Sequence, residues 1–264
     1  MKATKAIVTF VICTMSAISL FGDVDASNVT RRKDPEGFRR KVLERTGGRV
    51  RKENSGQGKF VYINSQSLVE EPLLKIPAKQ LGASFRLDIS VEKGAVATLA
   101  DVPNAIASSG AAAGIVLLEN DDMPTMLVAP EARYAIVNVK ALAKDNPPSN
   151  ILMTRVQREM YRAFGYLCGA ADAITEGCVM RPVSTLKDID ALQSPMLSAE
   201  FNDRIYKHML TWGIQPYVVA TYRKACEDGW APAPKDDVQQ KIWDEIHAIP
   251  ANPMKIEFDP KKGR

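Results

Sequence analysis

The stretch of this chain that most constrains its fold runs from residue 149 to residue 182. Its first part is apolar at the spacing of one helix face. The residues on that face are Leu152, Val156, Met160, Ala163, Phe164 and Leu167. Such a face is stable only when it is buried, so the pattern predicts one long helix packed on a core. A turn and a Cys-Val-Met-x-Pro corner, residues 178–182, follow the helix.

A second stripe of the same helix is charged or polar and lies beside the apolar one. It consists of Arg155, Arg158, Glu159, Arg162 and Tyr166. Residues three and four apart share a helix face, so Glu159 is expected to form an ion pair with one of the three arginines. On the simplest interpretation the stripe is a salt-bridged face without a ligand, and the corner after it serves packing alone.

Residues 158–168 and 178–182 together also resemble the metzincins. These zinc peptidases carry His-Glu-x-x-His-x-x-Gly-x-x-His on a helix and a Met-turn after it. The Cys-Val-Met corner is most similar to the archaemetzincin form. The resemblance covers roughly residues 59–215 and implies a zincin-like mixed sheet packed by helices.

The resemblance also implies roles for single residues of the stretch. Glu159 falls on the general-base glutamate and would be catalytic only if the protein is active. Gly165 falls on the glycine at which the chain of that family turns, and Met180 falls on the Met-turn methionine, with Cys178 beside it in the corner. Gly165, Met180 and Cys178 are therefore expected to be structural.

The three zinc-ligand positions of the family fall on Arg158, Arg162 and Cys168, and none of them is histidine. Arginine stays protonated and only donates hydrogen bonds, so two guanidinium groups would repel Zn²⁺. The two histidines, His208 and His247, lie in later predicted helices without the spacing of metal ligands. We therefore expect no metal cofactor, with zinc as the alternative.

These departures favour a protein that binds rather than cleaves. Within the metzincin-like interpretation, Arg158 and Arg162 are suited to an anionic group, because guanidinium makes paired contacts with carboxylate or sulfate oxygens. The expected function is a non-catalytic binding or scaffolding protein, with an anionic peptide, a polysaccharide or an envelope surface as its partner. The alternatives are an active secreted peptidase or hydrolase with a non-standard site, and a cell-envelope structural protein.

The first 26 residues have the pattern of a signal peptide. Lys2 and Lys5 precede an apolar run from Ala6 to Phe21, and Ala26 closes a cleavage site. The run is too short for a usual transmembrane helix of about 20 residues. We expect export to the periplasm or the cell exterior, with no transmembrane anchor after cleavage.

A basic arm, residues 27–58, is expected to follow the signal peptide. Residues 31–52 carry ten Lys and Arg against three acidic residues, a local net charge of +7. Such a stretch is usually solvated and mobile, and the functional alternative is docking to an anionic surface. Nucleic acid is not expected, because Phe38 is the only aromatic residue in the stretch and base stacking needs aromatic rings.

The remainder, residues 59–264, is predicted to be a single α+β domain with a mostly helical subdomain from about residue 184. Strands are predicted at 59–64, 85–91, 113–118, 126–130, 134–139 and 255–258. Helices are predicted at 70–81, 99–109, 198–212, 217–228 and 236–248, in addition to the long helix of the 149–182 stretch, for which Ser149 or Asn150 is the expected N-cap. Strands that alternate with helices before one long helix indicate a mixed sheet with helices packed on it.

The mature chain keeps three cysteines, Cys168, Cys178 and Cys226. In an oxidising compartment this number favours one disulfide and one free thiol. Cys168 with Cys178 is the natural local pair, and Cys226 as the partner of either remains an alternative.

Overall fold

The computed structural model describes residues 40, 43, 47–53, 55–194 and 196–249. The predicted signal peptide and the strand predicted at 255–258 lie outside the described residues. Within the described part, none of the helices combines the length and the apolar character that a membrane span requires.

Within the described part of the chain, seven strands form two sheets. In chain order they are β1 (Arg49–Arg51), β2 (Phe60–Ser65), β3 (Ile89–Gly94), β4 (Ala113–Leu118), β5 (Met126–Ala129), β6 (Tyr134–Asn138) and β7 (Val219–Thr221). The main sheet has the order β3-β2-β4-β6-β5. Its first four strands are parallel, and β5 is antiparallel to β6 at one edge. β1 and β7 form a separate antiparallel pair.

Eight α-helices with bounds inside the described part of residues 47–249 connect and cover these strands. They are α1 (Glu71–Phe85), α2 (Val102–Ser108), α3 (Val139–Leu142), α4 (Ser149–Leu167), α5 (Leu186–Ala191), α6 (Asn202–Thr211), α7 (Tyr222–Glu227) and α8 (Asp237–His247). α4 packs on β5 and β6 and against α1 and α5. The predicted α+β class, a mixed sheet packed by helices, is confirmed.

The two faces of the main sheet are both covered, because alternate side chains of a strand point to opposite faces. On β2, Phe60 and Tyr62 belong to the large core under α1 and α4. Val61 and Ile63 belong to the smaller core under α2. Strands buried on both sides have continuous apolar sequences. For this reason the predicted strand 113–118 has the same bounds as β4.

Two predicted elements differ from the structure. Phe85 was assigned to a strand, but it is the last residue of α1, where its side chain packs on Phe164 of α4. The helix predicted over 217–228 begins as β7, because residues 219–221 pair with β1. Both differences arise from contacts with distant parts of the chain.

The end of the predicted basic arm is also ordered in the structure. Arg49–Arg51 forms β1, and the backbone N–H of Tyr222 donates to the carbonyl of Gly48 at 2.9 Å. Gly47 makes this approach possible, since an added Cβ atom would lie 2.7 Å from the Cβ atom of Tyr222. The structure therefore places residues 49–51 of the predicted arm in a strand, with Arg49 and Arg51 exposed, whereas residues 27–39, 41, 42, 44–46 and 54 lie outside the described part.

Candidate functional site: the arginine face of helix α4

Helix α4 buries its apolar stripe as predicted. Val156, Met160, Phe164 and Leu167 are fully buried, and the ring of Phe164 lies 5.3 Å from that of Phe60 on β2. The aromatic contact adds to the area that the helix removes from water. This packing fixes the rotation of the helix and therefore the direction of its charged stripe.

Arg155, at the start of the charged stripe, is 2 % exposed and binds two carboxylates. Its guanidinium donates to Asp145 at 2.5 and 2.8 Å and to Asp190 at 2.8 and 2.7 Å. A further bond reaches the carbonyl of Leu142 at 2.8 Å. Hydrogen bonds from Arg155 lower the pKa of both aspartates, so both stay ionised. Arg155 thus joins α4 to α5 and to the loop after α3.

Asp190 and its neighbour Asp188 have different partners. Asp188 accepts from the backbone and side chain of Thr185 in a capping box at the start of α5. The carboxylate of Asp190 binds Arg155.

Arg158, the first position that falls on a zinc ligand in the metzincin pattern, is half-buried and binds the backbone of α5. One Nη atom donates to the carbonyls of Ile189 at 2.7 Å and Asp190 at 3.0 Å. Burial lowers the pKa of Arg158, because desolvation disfavours the charged form, and the charge of Asp190 opposes this effect.

Arg162, the second position that falls on a zinc ligand in the metzincin pattern, is 4 % exposed and binds the backbone of the corner. Its Nη1 atom donates to the carbonyl of Val179 at 3.0 Å and to that of Arg181 at 2.5 Å. Its Nη2 atom lies 3.4 Å from the hydroxyl of Tyr166. Arg162 binds oxygen atoms as its chemistry predicts, but they belong to the protein's own backbone and to Tyr166.

Glu159 forms the predicted ion pair, and its partner is Arg162. Nε of Arg162 and Oε1 of Glu159 lie 3.0 Å apart, with both side chains buried. The N–H does not point at the oxygen, and neither atom has another hydrogen-bond partner among the described residues. Burial raises the pKa of Glu159, whereas the charge of Arg162 and a hydrogen bond with Thr125 lower it by less.

The corner packs directly under α4. An added Cβ atom on Gly165 would lie 2.6 Å from the sulfur of Met180, so only glycine admits this side chain. Met180 is fully buried, and its backbone N–H lies 3.5 Å from Sγ of Cys178. The structure thus brings Gly165, Met180 and Cys178 together at the foot of the charged stripe.

Cys168, the third position that falls on a zinc ligand in the metzincin pattern, is remote from solvent. Its thiol is fully buried, and burial raises its pKa. Cys178 and Cys226 are buried as well, and all three cysteines are free. The expectation of one disulfide is therefore wrong, because each thiol packs as an apolar side chain in the interior.

The residues present do not fit a zinc ion. Zn²⁺ takes neutral imidazole, thiolate or carboxylate ligands, and two of the three positions that fall on zinc ligands in the metzincin pattern are arginines, whose guanidinium groups only donate. His208 packs beside Gly169 and edge-on to Trp212, whereas His247 stacks on Trp243 in α8. Among the residues that the structure describes, no three His, Cys, Asp or Glu side chains form a metal-binding group.

An open cleft of about 860 Å³ lies beside the start of β5, between α3 and α5. Its lining includes Thr125, Lys140 and Lys144, with Lys140 paired to Asp121 at 2.7 Å. Arg158, Glu159 and Arg162 are not part of that lining. Ile189, whose carbonyl accepts from Arg158, is part of the lining, so the charged stripe adjoins the wall of this cleft.

Comparison with known proteins gave two similar solved structures. One is an archaemetzincin from Methanopyrus kandleri, 12 % identical, covering 58 % of this chain and 96 % of its own, with a TM-score of 0.47. The other is a zinc-dependent peptidase from Methanocorpusculum labreanum, 13 % identical, covering 55 % of this chain and 99 % of its own, with a TM-score of 0.43. No protein-family model and no curated protein matches. The roles of residues in this chain follow from the contacts described above.

Sequence reasoning missed the partners of the arginines. Asp145 and Asp190 lie ten and 35 residues from Arg155 in the chain. Most other acceptors are backbone carbonyls, which every residue carries and which no sequence pattern marks. The one sequence signal that these arginines have partners elsewhere in the chain was their excess on a helix face that contains a single carboxylate.

Proposed function

We propose that this chain is an exported, non-catalytic binding or scaffolding protein with a zincin-like core that has lost its zinc ligands. The observation that carries the proposal is the set of contacts made by Arg162. Its guanidinium pairs with Glu159 and donates to the carbonyls of Val179 and Arg181. A group that contacts the helix, the corner and a buried carboxylate at once is a structural cross-link.

The state of Glu159 supports the non-catalytic part of the proposal. A general base must lie within hydrogen-bond reach of the proton that it removes. Glu159 is 1 % exposed and its charge is balanced by Arg162, so neither water nor substrate reaches it in this conformation. A metal ion at this place would have to displace a cation that is covalently part of the helix.

The chemistry of Cys168 argues against a thiolate nucleophile. Reactive cysteines are partly exposed and lie beside positive charge that lowers the pKa. Cys168 has the opposite surroundings, since it is fully buried and its pKa is raised. No observation at this cysteine favours the hydrolase alternative.

The metal content of the purified mature chain, residues 27–264, tests the proposal directly. After dialysis without chelator, elemental mass spectrometry should find no stoichiometric zinc, and a mixed peptide library should remain uncleaved. Glu159→Gln is the matched control, because it removes the one candidate base while it keeps the shape of the side chain. Stoichiometric zinc, or cleavage that Glu159→Gln abolishes, would overturn the proposal.

A further inference from the structure

Two shallow grooves lie side by side at the β3 edge of the main sheet. Their volumes are about 560 Å³ and 400 Å³, and both are lined by Ala83 and Tyr217. They therefore form one continuous depression, which we name the basic furrow. Its basic lining residues are Arg49, Arg51, Lys75, Lys79 and Arg86. Its one acidic lining residue is Asp88.

Two of these five basic side chains are paired. Arg51 donates to both carboxylate oxygens of Asp88, at 2.8 and 2.6 Å, and Lys75 lies 2.7 Å from Glu71. The side chains of Arg49, Lys79 and Arg86 are exposed and have no hydrogen bond or ion pair with the described part of the chain. Three cations in one depression are thus available to a ligand.

Arg86 occupies a backbone position that favours glycine. It caps the C-terminus of α1 with φ 56° and ψ 45°, and its N–H donates to the carbonyl of Gly82. Helices commonly end with glycine in this left-handed conformation, because a Cβ atom there is strained. A cation near a helix C-terminus is favourable in itself. The folding role and a binding role of Arg86 must therefore be separated by experiment.

The furrow continues the basic arm. Arg49 and Arg51 lie two residues apart on β1, so their side chains share one face of the strand. β1 is the end of the stretch 31–52, whose net charge is +7. Pairing of β1 with β7 fixes this end of the stretch beside α1. The basic stretch 31–52 therefore ends beside a surface that carries three unpaired cations.

We infer that the basic furrow binds a linear polyanion, and that its partner is an acidic polysaccharide with carboxylate or sulfate groups. A furrow admits a chain, whereas a lipid surface meets protruding residues. Nucleic acid is disfavoured because the guanidinium of Arg51 lies 4.2 Å from the centre of the Tyr217 ring and covers a face that a base would need. Guanidinium groups make paired contacts with carboxylate and sulfate oxygens.

This inference names a ligand class for the proposed binding function, at the sheet edge opposite to β5. It does not depend on the zinc site. Stoichiometric zinc would overturn the non-catalytic role and leave the furrow intact, whereas failure to bind polyanions would overturn the furrow alone.

The test uses fluorescence anisotropy of a labelled heparin hexasaccharide with the mature chain, residues 27–264, and a neutral dextran oligomer as the control probe. Arg86→Gly should weaken hexasaccharide binding about 10-fold, the effect of one charge-assisted hydrogen bond. The Arg86→Gly variant should keep at least the stability of the unchanged protein, since glycine suits the backbone conformation. Binding should also become less dependent on salt, because fewer counterions are released.

Arg133→Gly is the matched control. Arg133 is an exposed arginine with φ 60° in the turn between β5 and β6, and it lines neither groove. The Arg133→Gly variant should bind the hexasaccharide with the affinity of the unchanged protein. The pair Arg49→Ala and Lys79→Ala, which leaves α1 capped by Arg86, should weaken binding at least as much as Arg86→Gly.

Three results would overturn the inference. One is unchanged affinity in both furrow variants, and another is an equal loss in Arg133→Gly. The third is tighter binding of anionic vesicles or of single-stranded DNA than of the hexasaccharide, with the same dependence on Arg86, because the partner would then belong to another class.

Discussion

The arginines of helix α4 and the basic side chains of the furrow differ in what they contact. Arg155 and Arg162 are buried, and each binds at least two groups of the protein itself. Arg49 and Arg86 are exposed, and their side chains have no partner within the described residues. Arginine thus cross-links the fold on α4, whereas in the furrow it stays available to a ligand.

This difference has an energetic reason. A buried guanidinium must satisfy its donors inside the protein, because each unmet donor costs desolvation energy. An exposed one is satisfied by water and can exchange that water for a ligand. Substitutions on α4 should therefore act on stability, and substitutions in the furrow on binding.

The largest effect is expected for Arg162→Met. It leaves Glu159 buried without a counter-charge and removes the donor to two carbonyls, so the free energy of unfolding should fall by about 3–5 kcal/mol. Urea unfolding at neutral pH measures this loss. The variant should regain part of its stability as pH falls, because Glu159 then takes up a proton. A loss below about 1 kcal/mol would contradict the structural role of Arg162.

Arg155→Met should cost about 2 kcal/mol, because two carboxylates and the carbonyl of Leu142 lose their donor. The pKa values of Asp145 and Asp190 are lowered in the folded state. Their contribution is therefore present above the ordinary aspartate pKa of about 3.9 and is lost as pH falls through the lower folded values. The difference from the unchanged protein should shrink in acid, as urea unfolding across pH would measure.

Arg223→Met is the matched control for Arg155→Met. Arg223 pairs with Glu227 at 3.2 Å on the surface of α7, and both side chains are well exposed. Its loss should change stability by less than about 0.5 kcal/mol. Equal effects of the two variants would remove the distinction between buried and exposed arginines.

The double variant Glu159→Leu with Arg162→Met should lose less than Arg162→Met alone, about 1–2 kcal/mol. Both charges are then gone, and the remaining cost is that of the carbonyls of Val179 and Arg181. A double-mutant cycle completed with Glu159→Leu gives the coupling energy of the pair. A double loss equal to the sum of the single losses would mean that the two charges do not interact.

The smallest expected effect is a gain. Arg86→Gly and Arg133→Gly should each raise the free energy of unfolding by about 0.5 kcal/mol, because the relief of left-handed strain exceeds the added entropy of the unfolded chain. Thermal unfolding of both variants measures it. A clear loss in Arg86→Gly alone would show that this side chain stabilises the end of α1.

Much of the main sheet and the rotation of α4 were predictable. Their residues follow the periodicity of buried strands and of an amphipathic helix, and local periodicity is visible in one sequence. The pairing of Glu159 with an arginine was predictable for the same reason, since both lie on one helix face.

The parts of the fold and of the site that could not be predicted depend on contacts between residues far apart in the chain. Residues 219–221 are a strand because residues 49–51 lie beside them, and Phe85 remains helical because it packs on Phe164. The acceptors of Arg162 are carbonyls at positions 179 and 181, where the side chain carries no information about the bond. Single-sequence patterns cannot locate such contacts.

The cross-link made by Arg162 has a consequence for how the corner responds to its surroundings. A corner held by a bound ion is subject to mass action, so it loosens when a chelator or a poor supply removes the ion. A guanidinium attached to the helix cannot dissociate from the protein. The hydrogen bonds from Arg162 to the corner therefore involve no group that a chelator could remove.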